Sequence, residues 1–212
     1  MYVPPHFREN RADVLQAAIR DSGLATLVSF GSEGIEASHV PMLLDSTSGT
    51  LGTLHGHIAK ANPQWRRAAA GIAALAIFLG PDAYVTPSWY ATKRETGKVV
   101  PTWNYVAVHA YGELSFFEDP DRLLSLVTRL TEGREARRKE PWAVADAPAD
   151  YIRGQLKGIV GFELPIARLE GKWKMSQNRP AQDRAGVIEG LTAEGGPDEA
   201  AVAEIMSALG PQ

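Results

Sequence analysis

The chain contains no cysteine. That excludes disulfides, thiolate zinc sites, cysteine-held iron–sulfur clusters and cysteine nucleophiles, and it fits a reducing compartment. Long apolar runs are missing too. The longest, from Ala68 to Gly80, is largely alanine and glycine and falls well short of the ~20 residues a membrane-spanning helix needs. The opening MYVPPHFREN is polar and broken by proline, unlike the apolar core of a signal peptide. The expectation is a cytoplasmic protein. Neither charge sign dominates: 22 Lys and Arg stand against 25 Asp and Glu, a net of −3. A strongly basic, non-specific nucleic-acid binder is therefore disfavoured. The patterns Gly-x4-Gly-Lys-Ser/Thr, Gly-x-Gly-x-x-Gly and Gly-x-Ser-x-Gly are absent, so neither a phosphate loop nor a serine hydrolase is supported.

What is present is a globular composition. The 212 residues are 44% hydrophobic and 22% charged, the size of one domain that can bury a core without staples. Apolar spacing predicts a helix from Arg11 to Asp21, stopped by Gly23. Three strands with short turns follow: Leu24 to Phe30, Ile35 to Leu44 and Leu51 to His57. Asn62-Pro63 opens a helix running through Trp65 and Ala69. Ile72 to Leu79 reads as a buried strand bounded by Gly80-Pro81, and Pro87 to Pro101 as a loop. Trp103 to Phe117 is the longest strand candidate, with Val106, Val108, Ala110, Gly112, Leu114 and Phe116 on one face. Asp119-Pro120 caps a helix through Leu130, and Tyr151 to Leu156 is a short helical piece. Ile159 to Leu169 is a further strand, and Pro180 to Leu209 reads as helical. This order lacks strict βα alternation and fits an antiparallel barrel with flanking helices, α+β or mainly β. Residues 180–212 carry six acidic residues against Arg184, a net of −5, leaving +2 on residues 1–179. A solvated acidic tail is the simpler reading of that split.

Three stretches could carry chemistry. In Leu54 to Pro63 (LHGHIAKANP), His57 and Lys60 lie beside a predicted helix start, where unpaired N–H groups suit a phosphate. His55 and His57 share a strand face, and a strand-end hydrogen bond or a metal is the competing use. Ala83 to Tyr105 holds five aromatics in 23 positions, interleaved with Lys93, Arg94 and Lys98. That mixture suits a flat anionic ligand such as a nucleotide or flavin, single-stranded nucleic acid, or a subunit interface. In Gly171 to Arg179 (GKWKMSQNR), Gln177 and Asn178 each offer a donor and an acceptor that could read a flavin or base edge. A solvated surface loop is the alternative. The mixed-sign run Arg134 to Glu140 reads as a helix end, with a DNA contact as the weaker option.

Several blocks resemble the PaiB-type FMN-binding negative transcriptional regulators. They are Met1 to Phe7 (MYVPPHF), Ser38 to Pro41 (SHVP), Gly56 to Pro63 (GHIAKANP), Tyr84 to Tyr90 (YVTPSWY), Val100 to His109 (VPTWNYVAVH) and Gly171 to Arg179. They run in order over nearly the whole chain. Thr86 and Met175 stand where Ser and Leu would be expected. The resemblance implies a split β-barrel that dimerises, with FMN in a groove at the subunit interface, and repression of genes. On that reading residues 1–180 are the FMN-binding domain and residues 181–212 a helical extension packed on or beside the barrel. Lys60 and His57 would meet the phosphate, with Ser38 as a hydroxyl donor. Trp89 and Trp103 would flank the ring or ribityl chain. Asn104, Gln177 and Asn178 would bond the flavin edge, and Lys174 would sit near the phosphate or N1–O2. Fold kinship leaves other functions open. One is a flavin-dependent oxidoreductase, for which His109 and Tyr111 are acid–base candidates. Another is haem binding through His6, His39, His55, His57 or His109. Direct DNA binding has a thin sequence basis, since no helix-turn-helix is evident and Arg137-Arg138-Lys139 is a short basic run.

Overall fold

A computed structural model describes residues 1–68 and 71–210. A 3-10 turn, Pro5–Phe7, leads into β1 (Arg8–Glu9), α1 (Ala12–Ser22), β2 (Leu24–Gly31), β3 (Gly34–Asp45) and β4 (Thr53–Ala59). Next come α2 (Gln64–Arg67), β5 (Ile72–Val85), a 3-10 turn at Pro87–Trp89, α3 (Thr92–Thr96) and β6 (Thr102–Phe117). The chain closes with α4 (Pro120–Glu135), a 3-10 turn at Val144–Asp146, α5 (Ala149–Leu156), β7 (Ile159–Lys174), α6 (Ala181–Glu194) and α7 (Pro197–Ala208). No helix among the described residues is long and apolar enough to cross a membrane.

The strands form one sheet in the order β1-β7-β4-β3-β2-β5-β6, and β6 also pairs with β7. Six strands thus close on themselves, with β1 added outside. The registered pairs are antiparallel. This is the expected α+β split barrel with flanking helices. The chain divides into two compact units: residues 1–15, 79–108 and 170–212, and residues 16–78 and 109–169. In the second unit Leu27, Leu54, Phe78, Leu114, Phe162 and Leu164 are buried. In the first, Val85, Tyr90, Val106 and Met175 join Val187, Leu191, Val202 and Met206 of α6 and α7 in one apolar cluster.

The expected meander is present, and the differences have local causes. β5 runs on through Gly80-Pro81, because its register with β2 ends at Ile77. Beyond that point a proline has no ladder bond to that neighbour to lose. The segment read as a loop after Pro87 contains a 3-10 turn and α3. β7 extends to Lys174, past the predicted end at Leu169, with β1 paired to it at Arg8↔Lys172 and Glu9↔Gly171. α2 is only four residues long, and Ala69, its predicted end, lies outside the described residues. The tail is two helices. Gly195, at φ +69°, ends α6 in the left-handed conformation that glycine adopts without cost, and Pro197 opens α7. The tail is not wholly solvated: Asp183 is buried and accepts from Thr92 N (2.9 Å) and Oγ1 (2.7 Å).

Gly112 tests the close approach of β6 to β7. A Cβ there would stand 2.1 Å from the Pro165 carbonyl oxygen, a backbone atom. Gly112→Ala is expected to lose about 2–3 kcal/mol in urea unfolding, the upper part of the overpacking range. The helical control Gly133→Ala has nothing within 4 Å and should gain up to about 1 kcal/mol.

Candidate functional site

The residues named from the sequence fall into two groups. Ser38, His57 and Lys60 lie in the unit of residues 16–78 and 109–169. Trp89, Trp103, Asn104, Lys174, Gln177 and Asn178 lie in the other.

In the first group a buried amide does the organising. Gln64, absent from the sequence expectations, is buried in α2; its Nε2 donates to Ser29 Oγ (2.9 Å) and its Oε1 accepts from Ser38 Oγ (2.6 Å). Ser38 Oγ also accepts from Asn62 Nδ2 (2.8 Å), and Asn62 Oδ1 accepts from Gln64 N (2.9 Å). The chain Asn62–Ser38–Gln64–Ser29 ties α2 to β2 and β3. It also occupies the first N–H of α2. A four-residue helix with a capped first N–H is a poor phosphate cradle, so the helix-terminus reading gives way to the side chains alone. A lone glutamine after Asn-Pro carries no pattern that would have exposed this role.

Burial lowers the pKa of both His55 and His57. For His55, Arg129 and Arg122 push the same way, while Glu163 and Asp45 oppose. His57 Nδ1 is buried without a hydrogen-bond partner among the described residues. A neutral His57 can offer a hydrogen bond but not a charge. Lys60 Nζ pairs with Glu118 at 2.5 Å, with both side chains nearly half exposed. An exposed pair of this kind is worth about 0–1 kcal/mol, so an incoming anion could exchange for Glu118 at little cost. On β6, His109 Nδ1 lies 3.3 Å from Tyr111 Oη, and the Arg168 guanidinium covers the Tyr111 ring at 3.6 Å.

The second group is built on β6, the end of β7 and the turn that follows. Lys172 and Lys174 share one face of β7, since strand side chains alternate. Lys172 is buried, its ammonium 5.2 Å from the Tyr105 ring and 5.8 Å from that of Tyr2. Lys174 Nζ donates to Thr102 Oγ1 (2.5 Å) and to the Trp103 carbonyl, and lies 5.9 Å from the Phe7 ring. Burial lowers the Lys174 pKa, and the charges of Lys172 and Arg179 push it further down. No carboxylate is among the influences on it.

The turn holds this arrangement. Ser176 adopts φ +58°, uncommon for a residue with a side chain. Gln177 Oε1 accepts from Met175 N (2.7 Å) and its Nε2 donates to the Trp173 carbonyl (2.6 Å). Asn104 is buried; its Oδ1 accepts from Ser176 Oγ (3.1 Å) and its Nδ2 faces Met206 Sδ (3.3 Å). Asn104 and Gln177 therefore brace the turn, while Asn178 is exposed on it. Trp89 lies against α6, where a Cβ at Gly190 would sit 2.3 Å from its indole and one at Gly186 2.1 Å from its carbonyl oxygen. Trp103 is 53% exposed and meets Tyr84 edge-on at 5.8 Å. Together with Leu79, Gly80, Asp82 and Tyr105 it lines an apolar groove of about 310 Å³.

A half-buried pair of lysines bordered by aromatic rings, with no carboxylate acting on Lys174, suits an anionic aromatic ligand. Comparison with known proteins agrees with that class. Residues 1–168 match the family described as "putative FMN-binding domain", and the chain belongs to that family. It is 34% identical over 206 residues to the Bacillus subtilis "protease synthase and sporulation protein PAI 2", covering 97% of this chain and 96% of that one. It is 36% identical to an uncharacterized protein of Emericella nidulans, covering 90% of each. Among solved structures, the FAD and heme binding protein from Mycobacterium smegmatis superposes with a TM-score of 0.60 at 16% identity, covering 89% of this chain and 80% of that one. Flavocytochrome Anf3 from Azotobacter vinelandii gives 0.58 at 12% identity, covering 87% and 78%. These two likenesses show the fold.

The lowered histidine pKa values set a pH dependence. When the folded-state pKa lies below the unfolded one, the unfolded chain binds more protons as pH falls. The associated stability is full above about pH 6.5 and is lost as pH drops through the folded values. Urea midpoints at pH 7.5 and 5.5 are expected to differ more for the wild type than for His55→Gln/His57→Gln. Equal drops would contradict the assignment.

Proposed function

We propose that the chain is a cytoplasmic, homodimeric negative transcriptional regulator whose sensing element is bound FMN. The observation that carries the ligand reading is the Lys172–Lys174 face: two cations on one strand face, aromatic rings around them, and no carboxylate acting on Lys174. FMN supplies both an aromatic ring and a dianionic phosphate, and its ring carries the redox chemistry. With no thiol in the chain, redox sensing rests on such a group.

The residues fit this ligand in distinct ways. Lys60, with His57, is the phosphate contact, while Ser38 donates its hydroxyl proton to Gln64 and holds α2 in place. Lys174 and Asn178 take the N1–O2 edge of the flavin, and Trp103 offers a ring face. Asn104 and Gln177 hold the turn that carries Asn178, and Trp89 packs against α6. In a homodimer these contacts need not come from one copy. Support for the dimer comes from large exposed apolar residues: Leu79, Tyr84 and Trp103 in one unit, Phe30 and Ile35 in the other. Residues 1–180 would be the FMN-binding domain and residues 181–212 its helical extension. The name of the Bacillus subtilis relative ties that protein to sporulation, which supports a regulatory role.

FMN titration followed by flavin fluorescence tests the site. A charge-assisted hydrogen bond is worth about 1.5–3 kcal/mol, so Lys60→Ala and Lys174→Ala should each weaken binding roughly 10- to 100-fold. Undiminished affinity in both variants would remove the assignment. Light scattering should give twice the chain mass. A mobility-shift assay with promoter fragments should show a sequence-specific shift that differs between oxidised and reduced FMN. Its absence would exclude direct repression, and NAD(P)H oxidation faster than with free flavin would replace it with an oxidoreductase.

A further inference from the structure

A second concave site lies in the unit of residues 16–78 and 109–169, next to a recess that its Leu130 and Arg134 also line with His57. It is a cleft of about 380 Å³ between the last turn of α1, the end of β3, and the last turns of α4 with the residues just after it. Its floor is apolar, from Met42, Leu44 and Leu130, and its rim carries Arg20, Arg134 and Arg137. Asp21 is the only acidic residue lining it. Five other arginines of the described chain, Arg11, Arg67, Arg122, Arg129 and Arg138, are paired with carboxylates. Arg20, Arg134 and Arg137 have no such partner among the described residues.

Part of this charge answers the C-terminus of α1. A helix end presents about half a negative elementary charge, and Asp21 supplies one more. The C-terminus of α4 supplies about another half, so three guanidiniums leave an uncompensated positive charge of about one unit. Arg134 is also held close. Its guanidinium lies over Gly23, where a Cβ would be 1.3 Å from Nη2. A side chain at this position would occupy the place the guanidinium now fills, and Gly23 at φ +66° is in addition a conformation that suits glycine.

We propose that this cleft binds a small polyanion of the phosphoryl class, with the guanidiniums on its oxygens and any apolar part on the Met42–Leu130 floor. Planar guanidiniums match phosphoryl oxygens with paired bonds. A recess of this size with an apolar floor suits a small molecule better than the convex backbone of a DNA duplex. The reading rests on these lining residues, none of which is assigned to FMN. For a regulator, a second small anion would be an effector.

The probe is inorganic pyrophosphate, titrated calorimetrically at constant ionic strength, with and without saturating FMN. The wild type should bind one equivalent per chain in both conditions. Arg20→Gln/Arg134→Gln/Arg137→Gln should lower the affinity at least 10-fold, and Arg20→Gln/Arg137→Gln, which spares the Arg134 that shares a recess with His57, should leave FMN affinity unchanged. Arg134→Lys, which keeps the charge and loses the fork, should fall between the wild type and the triple variant. Equal binding by wild type and triple variant, no binding by the wild type, or competition with FMN would each overturn the proposal. Arginine-dependent binding of duplex DNA without pyrophosphate binding would overturn it as well.

Discussion

Three strands are much longer than a single barrel face requires, and the rest of the chain is arranged on them. β5, β6 and β7 run for 14, 16 and 16 residues, against a usual ~5–6. Each contributes residues to both compact units. Side chains alternate along a strand, so Lys172 and Lys174 fall on one common face near the end of β7.

A strand fixes Lys174 where no carboxylate acts on it. A flexible loop would let Lys174 swing into water, at no cost to its charge. Here its ammonium is fixed by Thr102 Oγ1 and the Trp103 carbonyl, both on β6. The following turn is locked by Gln177 and by the Asn104–Ser176 bond. The cost of holding a partly desolvated cation is offset when an anion binds beside it. Lys60 differs in kind: it is paired with Glu118 at the surface and can exchange partners cheaply.

The barrel was legible in the sequence because its strands alternate and its turns carry Gly, Asp and Asn. Gly31 to Gly34 and Asp45 to Gly49 both mark hairpins, and the β2–β3 register closes at Gly31↔Gly34. The extension of β5 past Gly80-Pro81 was not legible, since local punctuation outweighs a neighbour that the sequence does not show. The end of β7 was missed because its lysines and Trp173 read as a polar loop. In the site, residue types pointed to the right stretches but not to each role. Asn104 looks like an edge-reading amide in Pro-Thr-Trp-Asn-Tyr, yet it is buried and braces a turn. Gln64 gave no signal because its partners, Ser29 and Ser38, are distant in sequence and are brought to it by the sheet.

The central claim is that Lys174 is a cation held in readiness for an anionic flavin. Its side-chain nitrogen can be followed by NMR across a pH titration, first in the free protein and then with FMN. The account predicts a pKa below that of an ordinary lysine in the free protein, from burial and from Lys172 and Arg179, and a clear upward shift when FMN binds. A Lys174 that titrates like a solvent-exposed lysine, or one whose titration FMN leaves unmoved, would contradict it.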